Sequence, residues 1–232
     1  MDQMVFFNFH SIAMITLPAG LVLKQPDLGT AALLSLAGGT MLILAGIPLW
    51  MLGLGFALVL GAMPIAWQFL HDYQRQRVFT FLDPESDPLG SGYHILQSKI
   101  ALGSGGLTGK GYMQGTQSRL NFLPEKHTDF IFTTLAEEFG FIGGVSLLTL
   151  YGLIVGFCFA SALSNKDRFA SLLTYGIATT FFLFFAVNMG MVMGLMPVVG
   201  VPLPLVSYGG TAMIIILSAF GLVQSAHIHR PR

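Results

Sequence analysis

The chain has 232 residues, of which 53% are apolar and only 9% charged, and its 11 basic and 11 acidic side chains cancel. A mean hydropathy of +0.71 excludes an ordinary soluble domain, and the zero net charge argues against nucleic acid as the main partner. The charges are crowded: fourteen of the 22 lie between Asp72 and Glu138, while no residue between Asp27 and Asp72, from Phe139 to Asn165 or from Phe169 to Ala226 carries one.

A bilayer core takes about 20 apolar residues per helix, so these stretches hold about two, one and two crossings, and the apolar run Met4 to Leu23 brings the expected number to about six. In chain order the predicted helices are Met4 to Leu23, Leu28 to Ala45, Leu49 to Leu70, Phe139 to Leu163, Phe169 to Met193 and Thr211 to Ala226. The first is read as a retained helix, because Asp2 stands where a secretion signal needs a basic region and Lys24 where it needs small residues. The fold expected is an all-α integral membrane protein, one membrane domain over 1–232, with a large extracytoplasmic loop over 71–138. Lys166, Arg168, Arg230 and Arg232 gather at one set of helix ends, against Lys24 in the short loop opposite, which puts both termini in the cytoplasm. The lone Cys158 lies in an apolar run, where it packs as a small hydrophobe and makes no disulfide within the chain.

Within the long loop, Tyr93 to Leu102 has the spacing of a short interfacial helix. The run Gly103-Ser104-Gly105-Gly106-Leu107-Thr108-Gly109-Lys110-Gly111 invites a phosphate-loop reading and fails it. A Walker loop needs Gly where Ser104 stands and Ser or Thr where Gly111 stands. A flexible, tight-turning loop is the better reading, with Lys110 still able to meet anions.

Asp129 is the sharpest candidate site residue, placed just before the apolar helical pattern resumes. Capping of that helix by Thr128 or Asp129 is the plainer alternative. Asp129, Thr133 and Glu137 are successive i, i+4 steps and predict one polar stripe, the two carboxylates about 12 Å apart along the axis. Glu137 and Glu138, at the edge of hydrocarbon, require a partner or a role. His127 could orient or share protons with Asp129, but two residues apart on a helix they point in different directions, so interfacial packing is the expected role. Asp27 is most simply the N-cap of the second helix, yet the topology sets it on the same side as Asp129. Two such carboxylates could hold a divalent cation or a sugar hydroxyl. Finally, the segment 194–210 has three prolines and too little helical continuity to span, so it is expected to be re-entrant or broken.

These motifs resemble the SEDS family of bacterial cell-shape, division and sporulation proteins, and within it the elongation-type RodA proteins. The family's closing signature is met at Asn188, Gly194, Pro197, Gly200, Ser207, Tyr208, Gly209, Gly210, Thr211 and Ala212, and the loop is RodA-like from His71-Asp72-Tyr73-Gln74-Arg75-Gln76-Arg77 through Leu123-Pro124-Glu125-Lys126-His127-Thr128-Asp129-Phe130-Ile131-Phe132. The resemblance implies a glycosyltransferase of the bacterial inner membrane that polymerises lipid II into peptidoglycan during elongation, with a class B penicillin-binding protein as partner. It places the essential outer-loop aspartate on Asp129 and a second outward aspartate on Asp27. Members have about ten crossings, of which this sequence resembles the last six.

On that reading Asp129 is the catalytic base and Asp27, Lys110, Arg119, Lys126, His127 and Glu137 meet the substrate. The departing pyrophosphate is neutralised by Lys110, Arg119 and Lys126 or by Mg or Mn held at Asp27 and Asp129. Two rivals predict different behaviour. A lipid II flippase would draw on the broken segment, against which stands the lack of formal charge in the spans; a non-catalytic scaffold for the transpeptidase would tolerate loss of Asp129.

Overall fold

The computed structural model describes residues 2–25, 27–84, 87, 90–120, 122 and 127–230. The described residues are helical and irregular, without strands. Among the described residues nine helices follow in order: α1 (Asp2–Lys24), α2 (Leu28–Leu44), α3 (Leu49–Phe69), α4 (Asp72–Leu82), α5 (Ser91–Ser104), α6 (Thr116–Arg119), α7 (Ile131–Ser164), α8 (Arg168–Val192) and α9 (Gly210–Ile228). Among the described residues α7, α8 and α9 are long and apolar enough to cross a membrane. Helices α1, α2 and α3, of 23, 17 and 21 residues, reach about 34, 26 and 32 Å against a hydrocarbon core of about 30 Å. Apolar helices therefore stand at each of the six expected places.

Local chemistry sets the ends. The Asp27 carboxylate caps α2 by accepting from the Thr30 amide (3.0 Å) and hydroxyl (2.6 Å). Asp167 does the same for α8 through Phe169 and Ala170, which turns α7 into α8 across three residues. At that end of the bundle Arg168 donates to the Ala45 carbonyl just beyond α2 (3.1 Å), and Asn165 and Arg230 tie α7 to α9. Arg75 reaches back from α4 to the Trp67 and Gln68 carbonyls at the end of α3. Arg230 meets the Ser164 hydroxyl; Arg168, Asn165 and Arg75 meet carbonyls that a helix terminus leaves open.

Helix α7 packs on α8, α8 on α2 and α9, and α2 on α1, while α5 lies across α7 and α8. The core between α7 and α8 is aromatic: Tyr151 stacks on Phe185 and Phe181, and Phe181 meets Phe220 of α9 edge-on. Cys158 is buried beside Ala178 and Val223, as a small hydrophobe should be.

The largest departure from expectation is in α7, which starts at Ile131, eight residues before the predicted Phe139, and breaks at Gly140 (φ 67°, ψ −162°). The glycine-rich run fills the break. Lys110 and Gly111 donate to the Glu137 and Glu138 carbonyls (both 3.0 Å), and Phe141 and Ile142 donate to the Gly106 and Leu107 carbonyls (2.8 and 3.1 Å). A continuous helix would have bonded Phe141 to Glu137 and Ile142 to Glu138, so residues 106–111 intercept those two rungs and satisfy every group they free. The approach is too close for side chains. A Cβ on Gly105 would lie 2.1 Å from the Ala136 carbonyl oxygen, and one on Gly109 would lie 2.1 Å from that of Glu138. The glycines that suggested flexibility are thus a splice between loop and helix.

Candidate functional site

The site is assembled where the chain returns from the long loop, over His127–Phe130, against the non-helical stretch that follows α8. Three consecutive carbonyls are gripped from that side. The Tyr208 amide donates to His127 (2.9 Å), the Ser207 hydroxyl to Thr128 (2.6 Å) and the Asn188 side-chain amide to Asp129 (2.8 Å). Asn188, fully buried in α8, also donates to Val201 (2.6 Å). Two carbonyl oxygens on one atom identify that atom as the nitrogen.

The stretch 193–209 in turn has part of its own backbone bonded. Ser207 accepts from the Leu203 amide (2.7 Å), Tyr151 donates to the Pro204 carbonyl, and Gly190 takes the Leu195 and Met196 amides. Irregular backbone among apolar helices is tolerable only with such partners. Glycine at 200 has φ +70°, and a Cβ there would stand 3.4 Å from Asp129 Oδ2, which fixes where that carboxylate lies.

Asp129 is half-buried and stands one residue outside the N-cap of α7, which is Phe130. The start of α2, which Asp27 caps, packs against that same irregular stretch. A Cβ on Gly29, two residues on, would lie 2.8 Å from the Val199 Cβ, so the start of α2 rests on the backbone that Asp129 flanks. The hydrogen bond from the Thr30 hydroxyl, helped by the Thr30 and Gly29 amides and least by the Arg77 charge, holds the Asp27 carboxyl below its ordinary range against the opposing effect of burial.

The expected polar stripe on α7 turns toward the loop helices instead of the site. Thr133 is fully buried against Ser98 of α5 (2.8 Å), which also donates to the Val192 carbonyl. Glu137, likewise fully buried, takes the Lys110 ammonium (2.7 Å), the Thr116 hydroxyl (3.1 Å) and the Gln117 amide (3.0 Å) on one oxygen. Lys110 and Glu137 thus serve each other, with Lys110 also donating to Thr116 (2.8 Å); together they anchor α6. Arg119 is exposed at the end of that helix, His127 is exposed beside Tyr208, and Lys126 lies outside the described residues. Among the described residues no three His, Cys, Asp or Glu gather as a metal site, and both Asp27 oxygens are engaged by Thr30. An apolar groove of about 460 Å3 between α2, α8 and α9, walled by Met41, Phe181, Phe184 and Phe220, ends at Pro204 and Ala212 beside the gripped stretch.

The family model of cell cycle proteins of the FtsW, RodA and SpoVE type matches residues 3–232. The chain belongs to that family. It is 53% identical over 221 residues to the peptidoglycan glycosyltransferase MrdB of Escherichia coli K12, covering 95% of this chain and 60% of that protein. It is 42% identical to the Helicobacter pylori protein of the same name over 91% of its own length and 54% of the relative's. The chain therefore spans a little over half the length of these relatives. Among solved structures, a chain of a peptidoglycan synthase complex described as coordinating polymerization and crosslinking superposes with a TM-score of 0.79 at 37% identity, over 95% of this chain and 61% of that one. The rod shape determining protein RodA of Thermus thermophilus superposes at 0.61 and 31%, over 96% and 57%. The six apolar helices and the splice thus belong to an integral membrane protein of this family.

Proposed function

We propose that the protein polymerises lipid II into glycan strands, as a peptidoglycan glycosyltransferase of the bacterial inner membrane, with Asp129 as the general base. What carries the reading is the triple grip on His127, Thr128 and Asp129, because a base must be held in place while its substrate moves. Asp129 takes the proton of an acceptor sugar hydroxyl. The oxygen forms its bond to the donor's anomeric carbon, and the bond to the pyrophosphate breaks with the electron pair leaving on the lipid-linked phosphate.

Asp27, on the helix start that packs against the same backbone, is held in its ionised form chiefly by the Thr30 hydroxyl, which suits it to orient a sugar hydroxyl. Arg119 and Lys126 remain the cations for the leaving group, with Lys110 drawn into the pair with Glu137. A Mg or Mn ion would supply further charge neutralisation. Two carboxylates offer it only part of a shell, so it would be held jointly with the phosphates. The apolar groove suits a polyprenyl tail, leaving the headgroup at the level of Asp129. Termini in the cytoplasm put that level outside, where a class B penicillin-binding protein would receive the glycan.

The test supplies lipid II to the purified full-length polypeptide in detergent. Glycan polymer is expected without any second compartment, whereas a flippase gives none. A scaffold gives none either and keeps cell shape when Asp129 is lost.

A further inference from the structure

We propose that Tyr208 and His127 form a stacking platform for a pyranose ring of the acceptor glycan, next to Asp129. Tyr208 is 82% exposed, more than any other large hydrophobic side chain among the described residues. Its backbone is nonetheless pinned. Its amide is bonded to the His127 carbonyl, and the preceding residue, Ser207, is bonded to Thr128 and Leu203. An open aromatic ring on an immobilised backbone is prepared to receive a ligand at little entropic cost.

Tyr208, His127, Val206 and Ile131 line a cleft of about 340 Å3, within the range of small-ligand sites. The composition fits a sugar. One face of a pyranose is a sheet of C–H groups that stacks on a π-system, and its edge carries hydroxyls that bond to a phenol oxygen and an imidazole. The bond between Tyr208 and His127 fixes the two aromatic residues in register, and His127 is two residues from Asp129. The proposal sets a hydroxyl of a ring held here toward that carboxylate, and gives His127 its substrate contact through Tyr208.

The proposal rests on the polymerase reading for its choice of sugar, and the experiment separates the two. Chitotetraose, an N-acetylglucosamine tetramer, is titrated against the full-length protein in nanodiscs, with saturation-transfer NMR as the readout. The Asp129→Asn variant is the background, because it binds without turning over. Asp129→Asn is expected to bind the tetramer, and the added Tyr208→Ala change to weaken it about tenfold, the scale of one aromatic contact. Tyr208→Phe, which keeps the ring, should bind within about threefold, and Tyr208→Ala with Asp129 intact should raise KM for lipid II more than it lowers kcat. Equal binding with and without the Tyr208 ring, or no binding in the Asp129→Asn background, overturns the platform and leaves Tyr208 as an interfacial anchor. Polymerisation that survives Asp129→Asn overturns the base assignment alone, since the binding arm does not depend on it.

Discussion

Gly140→Ala puts the splice between the glycine-rich run and α7 under direct load. At φ 67° and ψ −162° any other residue is strained by roughly 1–3 kcal/mol. The new Cβ would lie 2.3 Å from the Gly109 nitrogen and 2.7 Å from the Leu107 carbonyl atoms, all backbone that no rotamer change can clear. The cheapest relief is withdrawal of residues 106–111 with straightening of α7. Withdrawal breaks four bonds, and straightening restores the two helical rungs, from Phe141 to Glu137 and from Ile142 to Glu138. The net loss is two hydrogen bonds and their burial, about 2–3 kcal/mol, which is local opening and leaves the bundle folded. Amides 110 and 111 should then exchange with deuterium roughly 30- to 150-fold faster, at 1.4 kcal/mol per factor of ten. Mass spectrometry of peptides covering 105–112 reads this. Gly152→Ala is the control, because nothing lies within 4 Å of its Cβ position, and exchange there should stay unchanged. Wild-type protection of 110 and 111 in Gly140→Ala would refute the reasoning.

Glu137→Ala removes three donors' shared acceptor; with Lys110 27% exposed and able to rehydrate, the cost should sit near the low end for a buried pair, about 3 kcal/mol. Proteolysis at α6 should report it, and Lys110→Met paired with Glu137→Met should recover part of it. Asn188→Asp replaces a two-way donor by oxygens facing two carbonyls, for an expected loss of about 3–5 kcal/mol, visible as a lower melting temperature in detergent together with lost polymerisation. Asp27→Ala should cost about 1 kcal/mol through the α2 cap. Because the folded-state value of Asp27 is depressed, its contribution is whole above the ordinary carboxylate range and fades as pH falls through and below it. A melt of the wild type minus that of Asp27→Ala, followed from pH 7 to 3, should therefore shrink at the acid end.

The helices were legible because hydrocarbon leaves little choice: charge-free runs of about 20 residues mark α1, α2, α3, α8 and α9 to within a few residues. Asp27 as a cap was equally plain, since it precedes an apolar run by one residue. The start of α7 was not, because Thr133, Glu137 and Glu138 interrupt the apolar pattern, and what buries them, Ser98 and Lys110, lies 35 and 27 residues away. The glycine run had the composition of a mobile loop, and its real constraint, backbone atoms of another element at 2.1 Å from a missing Cβ, has no local signature. Asp129 stood out by position, whereas its hold by Asn188, Ser207 and Tyr208 spans separations of 59, 79 and 81 residues and emerges only in the fold.

The claim on which the function depends is that the Asp129 carboxylate, beside Gly200 on a residue whose carbonyl Asn188 holds, takes the acceptor's proton. Asp129→Asn keeps the shape of the side chain and removes the base, so the grip on the 127–129 carbonyls should survive. Single-turnover polymerisation of lipid II by the purified full-length variant measures the consequence. At least a hundredfold loss of rate is expected, within the usual contribution of a general base, with unchanged melting temperature. Polymer formed at a rate near that of the wild type would contradict the account.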